Sequence, residues 1–281
     1  MEPRREDLSI SFNDGSIVEA DVLLGADGIN SAVRRFFVPS SAREWTGWVA
    51  FRSVFDAKLV EHIPGVLDEA NHWWGPERTF FASKLGRGLF TIVGGWQGDP
   101  DAPYAPYKDS TWNSNGDLVV LKDYYHGLHP VVREMIDVSP YTRLYPNTFA
   151  SSLATWVHGD GRVTYAGDAA HAHGGAFAAG GSLALDDAYA FALAILEVYP
   201  SGSSHKPSLT GIRSALELYE RTRKSHTDRL LETVHAGNLK KVQNAHKVVT
   251  DEALRQSMTA RANPSWMHEH DAEVTFAQAL E

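Results

Sequence analysis

The chain has 281 residues, 43% of them hydrophobic and 22% charged, so it can bury one large core or two ordinary ones and is too apolar for a disordered chain. A formal charge of −9 and an isoelectric point near 5.8 argue against a surface built for phosphate backbones, and nucleic acid is not an expected partner. Cysteine is absent, which excludes disulfides, thiolate metal sites and a cysteine nucleophile and fits a cytoplasmic setting.

The opening "LSISFNDGSIVEADVLLGADG" (8–28) alternates apolar and polar residues, turns at Asn13-Asp14-Gly15 and ends in an apolar run, the pattern of a hairpin feeding a buried strand. After Gly25-Ala26-Asp27-Gly28, "INSAVRRFF" has helical character, with Asn30 or Ser31 as its cap and Pro39 beyond its end. From Trp45 to about Tyr145 the chain changes character. "WTGWVAFRSVF", "TFFASKL" and "GLFTIVGGW" are aromatic, β-prone runs broken by "GPER", "GRG" and "GDPDAP", which predicts an antiparallel sheet. "DLVVLKDYYHGL" and "PVVREMI" predict two short helices over one face of it, the first capped by Asp117 and closed by Gly127.

Strand, turn and helix return in "GRVTYAGDAAHAHGGAFAAGGSLALDDA" (161–188). Arg162 to Ala166 reads as a strand, and Gly181 to Tyr199 as a helix apolar on nearly every side, which is expected to be buried. That helix carries Asp186, Asp187 and Glu197, and no segment is expected to span a membrane. A Pro, Ser and Gly-rich loop leads to a long amphipathic helix from near Thr210 to about Ala236, with Glu217 and Arg221 at pairing distance, and the tail is irregular and then helical. No run of lysine and arginine exceeds the short Arg221 to Lys224 stretch.

A strand ending in Ala166-Gly167-Asp168 places a carboxylate at the C-terminal edge of a sheet, where open α/β folds bind ligands, and a carboxylate there suits a polyol. Gly174 to Gly181 carries almost no side-chain bulk, so a flat ligand can approach the backbone and the free N–H groups of the following helix. The blander reading is tight packing of a helix on a sheet. Against it, "LLGADGINSAVRR" supplies a second acid-bearing turn of the same kind on the other side of the β-rich segment.

"GADGINSAVR" resembles the Asp-Gly motif, and "GDAAHAHGGAFAAGGSLALDDA" the Gly-Asp motif, of the single-component flavoprotein aromatic hydroxylases, the family of para-hydroxybenzoate and salicylate hydroxylases. "WTGWVAFR" and "WMHEHD" add a likeness to the fungal branch acting on phenolic polyketides, and the similarity runs from about Leu8 to the C-terminus. The resemblance implies an α/β fold. It consists of an incomplete FAD-binding (Rossmann-like) domain over 1–44 and 146–200, an inserted antiparallel β-sheet substrate domain over 45–145, and C-terminal helices over 201–281. FAD is the implied cofactor and NAD(P)H the cosubstrate, with oxygen passing through a C4a-hydroperoxyflavin to an electron-rich phenolic ring.

By the same resemblance Asp168, with Gly167, holds the ribityl chain of FAD, and Gly180, Gly181 and Ser182 face the flavin pyrimidine. Asp27, Gly28 and Arg34 serve FAD and NAD(P)H handling. One departure is that Gly174 and Gly175 stand where many relatives carry a proline pair. Another is that no segment shows strand, Gly-x-Gly-x-x-Gly and helix in that order, so the chain is expected to be an N-terminally truncated form that self-associates through its incomplete sheet.

On the β-rich segment, Arg52, set among Trp48 and Phe51, is the candidate catalytic cation for a phenolate, and His72, Trp73 and Trp74 are candidate substrate-lining residues. The same residues also suit a surface ion pair and a plain aromatic core. Two other readings stay open. Asp168, His171 and His173 have a spacing that suits a metal, and a truncated paralogue would serve as an interaction module through its amphipathic helix.

Overall fold

The computed structural model describes residues 8–41, 43–75, 78–98, 107–244, 250–259 and 263–281, without the side chains of 176 and 240–244. Parts of the expected "GPER" and "GDPDAP" breaks lie outside the described residues. The chain divides into two compact units, Met1–Glu44 with Thr148–Ala236 and Asn263–Glu281, and Trp45–Asn147 with Gly237–Ala262.

The first unit opens on an antiparallel hairpin, β1 (Leu8–Ser11) and β2 (Ile17–Ala20), whose turn is held by the Asp14 carboxylate accepting from the Ser16 amide at 2.9 Å. β3 (Leu23–Gly25) follows and then α1 (Ala32–Phe37), where the Ser31 hydroxyl caps the helix by accepting from the Arg34 amide at 2.8 Å. Glycine at 25 leaves room for close packing, because a β-carbon there would stand 3.0 Å from the Tyr165 ring and 3.1 Å from Val33, so that one of them would have to give way.

The second unit is built on β4 (Arg43–Asp56), β5 (Asn71–Trp74), β6 (Thr79–Gly86), β7 (Leu89–Gln97), β8 (Ser114–Asn115) and β9 (Arg143–Ala150), in the order β5-β6-β7-β4-β9-β8. The aromatic, β-branched runs pair antiparallel, as in β4 with β7 and β6 with β7. Between β8 and β9 come α2 (Leu118–Tyr125), capped by Asp117, and α3 (Pro130–Asp137). Gly127 does not close α2 with a left-handed residue; the helix stops at Tyr125 with His126 in helical geometry.

Both helices pack on one face of the sheet, where Phe51, Phe55, Phe80, Phe90 and Ile92 meet Leu121, Val132, Met135 and Ile136. Each fully buried side chain contributes roughly 2 kcal/mol of transfer free energy. The Tyr125 hydroxyl ties helix to sheet, accepting from the Gly95 amide at 2.7 Å and donating to the Thr79 carbonyl at 2.8 Å.

The chain returns to the first unit in β10 (Val163–Tyr165), which pairs parallel with β3 in the register Val163 to Leu23 and Tyr165 to Gly25. α4 (Asp168–His171) and α5 (Gly180–Val198) follow, then α6 (Leu209–Asn244), α7 (Asp251–Thr259), α8 (Ser265–His268) and α9 (Ala272–Leu280). Trp156, Tyr165, Ala169, Ala190, Ala194, Tyr219 and Phe276 form the core around this pair. No described helix is long and apolar enough to cross a membrane.

Two expectations are corrected here. α5 is buried on one side only, at Leu183, Asp187, Ala190 and Ala194, while Leu185 is 73%, Tyr189 45% and Leu196 49% exposed along the opposite stripe. Glu217 pairs with Arg213 at 3.0 Å, not with Arg221, whose guanidinium donates to the Ala279 carbonyl at 3.4 Å. Arg223, inside the basic run, is fully buried.

Candidate functional site

The parallel pairing of β3 and β10 sets the two acid-bearing turns at the same end of adjacent strands. In the first turn, Asp27 lies five residues before Ala32, and its Oδ2 accepts from the amides of Ala32 at 2.6 Å and Val33 at 3.3 Å. Partial burial works to raise the Asp27 pKa, but bonds from the Ser31 hydroxyl and these amides prevail and hold it below the ordinary value. Asp27 thus caps α1. Gly28 turns the chain at φ +78°, with open space where a β-carbon would stand.

Arg34 is 4% exposed and has no free donor edge toward a ligand. Its Nη1 donates to the carbonyls of Ala169 at 3.0 Å and Ala170 at 2.9 Å, its Nη2 to Ser151 at 2.6 Å, and its Nε to the Ser41 hydroxyl at 2.6 Å. The first turn therefore grips the second through one guanidinium fork, whose planar donors suit converging carbonyls.

In the second turn, Gly167 has φ +58° and ψ −142°, a conformation open essentially to glycine, and it serves as N-cap of α4. Asp168 follows at the C-terminal edge of β10 with an exposed carboxylate that bonds to no described residue. Beyond α4 the chain passes through left-handed backbone at Gly174, Gly175, Phe177 and Ala178. For the two non-glycine residues that conformation costs on the order of 1 kcal/mol each.

The 19-residue α5 then starts without a side-chain cap. Its first bond in the helical pattern from outside runs from the Leu183 amide to the Ala179 carbonyl, so the amides of Gly180, Gly181 and Ser182 lie at a positive dipole end. A β-carbon at Gly181 would meet nothing within 4 Å, and one at Gly180 would face only the His173 ring at 3.5 Å. The Ser182 hydroxyl donates back to the Ala179 carbonyl at 2.9 Å. An open carboxylate, a bare backbone edge and uncapped amides fit a polyol joined to a flat, electron-rich group, and so fit a flavin.

The metal spacing does not assemble. His171 is bound to Asp187, and among the described residues no three histidine, aspartate or glutamate side chains come together as a metal set. Sequence reasoning passed over Asp187 itself, which is buried in α5 and bonded to Gly167, His171 and Arg223. The sequence shows an acidic pair in the middle of a mostly apolar helix, which marks the position as unusual without saying which acid is buried.

In the sheet unit, strand alternation separates the candidates. Arg52 pairs with Val93, Val93 with Phe81, and Phe81 with His72, so these four share one row and one face. Arg52 is exposed and makes no ion pair with a described residue. Trp48 lies on the same face, its indole over Gly95, where a β-carbon would stand 2.2 Å from Nε1. The His72 ring meets those of Phe81 at 4.8 Å and Trp74 at 5.9 Å. Trp73 and Phe51 are corrections, because both point to the opposite face, Trp73 against Phe80 at 6.0 Å and Phe51 against Tyr107 at 5.5 Å in the helix-covered core.

Known proteins resemble the chain along most of its length. It is 27% identical over 230 residues to 6-hydroxynicotinate 3-monooxygenase of Bordetella bronchiseptica, covering 80% of this chain and 55% of that one. With 3-hydroxybenzoate 6-hydroxylase of Polaromonas naphthalenivorans it shares 26% identity, covering 87% and 59%. The chain thus spans a little over half the length of these relatives. Among solved structures, a salicylate hydroxylase substrate complex superposes with a TM-score of 0.74 at 23% identity, covering 98% of this chain and 67% of that one, which is a likeness of fold. The FAD binding domain family matches residues 10–234, from the first hairpin through the Gly-Asp turn to α6, and the chain belongs to that family.

Proposed function

We propose that the chain is part of an FAD-dependent monooxygenase that hydroxylates a phenolic ring with NAD(P)H and oxygen. The observation that carries this reading is the open Asp168 carboxylate at the end of β10, ahead of the bare, uncapped start of α5. Asp168 accepts hydroxyl groups of the ribityl chain, and the amides of Gly180, Gly181 and Ser182 face the pyrimidine edge. Bound FAD supplies the hydride acceptance and oxygen activation that no side chain provides. Asp27, Gly28 and Arg34 act on the cofactor by shaping the turns.

Arg52 holds the ring oxygen as its anion, with His72, Trp74 and Trp48 on the same sheet face offering aromatic surface that displaces water. The names of the relatives, acting on hydroxynicotinate and hydroxybenzoate, support a ring that carries an oxygen substituent. A cytoplasmic setting fits a cysteine-free chain that draws on NAD(P)H. The exposed stripe of Leu185, Tyr189 and Leu196 supports self-association of the chain, which gel filtration of the purified protein reads directly.

The test is the visible absorption spectrum of the purified chain after FAD is added and the excess removed. A retained flavin spectrum is expected, followed by phenol-dependent NAD(P)H oxidation that Arg52→Ala uncouples from hydroxylation. Soluble protein that keeps no flavin would overturn the reading that these residues hold the cofactor.

A further inference from the structure

Behind the Gly-Asp turn lies a buried charge cluster with no open edge toward a ligand. Asp187 on α5 and Arg223 on α6 are both fully buried, and Nε of Arg223 donates to Oδ1 of Asp187 at 2.8 Å. The other oxygen, Oδ2, accepts from the Gly167 amide at 2.7 Å and meets Nε2 of His171 at 2.7 Å. Gly167 and His171 are the N-cap and last residue of α4, so one carboxylate grips both ends of the four-residue helix that Asp168 begins.

Arg223 completes the grip from the far side. Its Nη2 donates to the Leu183 carbonyl in the first turn of α5 at 3.3 Å, and its Nη1 stands 3.5 Å from Asp186 and 3.4 Å from Nδ1 of His270. A buried carboxylate without a permanent cation beside it would lose its charge, and with it the pull on the Gly167 amide. The guanidinium supplies the charge and a planar fork that meets acceptors on α5 from two directions, which a lysine ammonium does not.

We infer that Arg223 is a positioning residue of the flavin site: acting through Asp187, it holds Gly167 and His171 and so aims Asp168, without touching the cofactor. The inference rests on the proposed reading of Asp168 as the ribityl anchor.

The experiment compares the full chain with Arg223→Lys, Arg223→Met and, as a control of stability alone, Ile212→Ala, a buried site on the same helix three turns away. FAD affinity is read by fluorescence titration, melting temperature by circular dichroism, and the exchange rate of the Gly167 amide by NMR. Arg223→Lys is expected to keep the fold yet weaken FAD by roughly ten- to hundredfold, the range a hydrogen bond to a charged group is worth, and to speed Gly167 exchange by a similar factor. Ile212→Ala should lower the melting temperature with both readouts unchanged.

Variants at 223 that bind FAD as the parent does, or that leave Gly167 exchange unchanged, overturn the inference. Failure of the parent chain to hold FAD overturns the proposed function instead. In that case Gly167 exchange alone still decides whether Arg223 sets the turn.

Discussion

At the end of β3 the Asp27 carboxylate is occupied by the amides of Ala32 and Val33, whereas at the end of the adjacent β10 Asp168 bonds to no described residue. The helices that follow differ in the same sense. α1 has six residues and a Ser31 cap, whereas neither the four-residue α4 that Asp168 begins nor the 19-residue α5 beyond it has a side-chain cap. Two turns of like sequence thus differ in role: the first satisfies its own helix and sends Arg34 across to carbonyls of the second, whose own acid bonds to no described residue. An acid consumed by a helix start, as Asp27 is, has little left to offer a ligand, whereas Asp168 keeps its acceptors.

The sharpest way to break the comparison is to cut the link between the turns. Arg34→Met removes a buried guanidinium and leaves the Ala169, Ala170 and Ser151 carbonyls without their donor. It should cost on the order of 4 kcal/mol, read as the shift in urea midpoint, and a loss below ~1 kcal/mol would make the link incidental.

Acid should strike the second turn first. His226 stacks on His270 at a centroid distance of 3.8 Å, behind the Asp187 cluster and near Arg223, Arg229 and Trp266. Burial, then the charges of His270, Arg223 and Arg229, push its pKa down to about 4 from an ordinary 6.5. In this window the unfolded chain binds a proton that the folded chain does not, so stability falls as pH drops from 6.5 toward 4, by up to roughly 3 kcal/mol. His270 is lowered too, by burial first and then by Arg223, and adds to the loss as pH falls below 6.5.

Asp187 contributes later. Burial opposes its charge, the bonds to His171 and Arg223 outweigh that, and its stabilisation persists until pH falls below 3.8. Urea midpoints measured from pH 7 down to pH 3 check the order, and a flat profile between pH 7 and pH 4 would refute it.

The smallest effect separates the two acids. Asp27→Ala should cost about 1 kcal/mol of stability, as loss of a helix cap does, and reach FAD only through that loss. Asp168→Ala should leave stability within about 0.5 kcal/mol and abolish flavin retention. The reverse pattern would exchange the roles assigned to the two turns.

Much of this was legible in the sequence, because local chemistry governed it. The Asn13-Asp14-Gly15 turn, the Ser31 and Asp117 caps and the two Gly and Asp-bearing turns each depend on a few neighbouring residues. Sheet parity was legible in principle, since Phe51 and Arg52 must face opposite ways, yet grouping by adjacency set Phe51 and Trp73 with Arg52 and His72, from which they face away. What escaped was set by tertiary contact. Glu217 has an arginine four residues away on either side, and α9 takes Arg221 through the Ala279 carbonyl, leaving Arg213. Nothing local says that the second acid of Asp186-Asp187 is buried, because its partners Gly167 and Arg223 lie 20 and 36 residues away.

The Arg34 link joins residues 135 apart in sequence, and β3 pairs with β10 across a still longer stretch, Leu23 with Val163. Closing so large a loop is entropically costly before any contact rewards it, whereas β6 and β7 are hairpin neighbours within the intervening stretch. On the ribosome the sheet unit can therefore gather its core while β3 is still an unpaired strand, and the Gly-Asp turn is tied down only once residue 170 has emerged to receive the arginine.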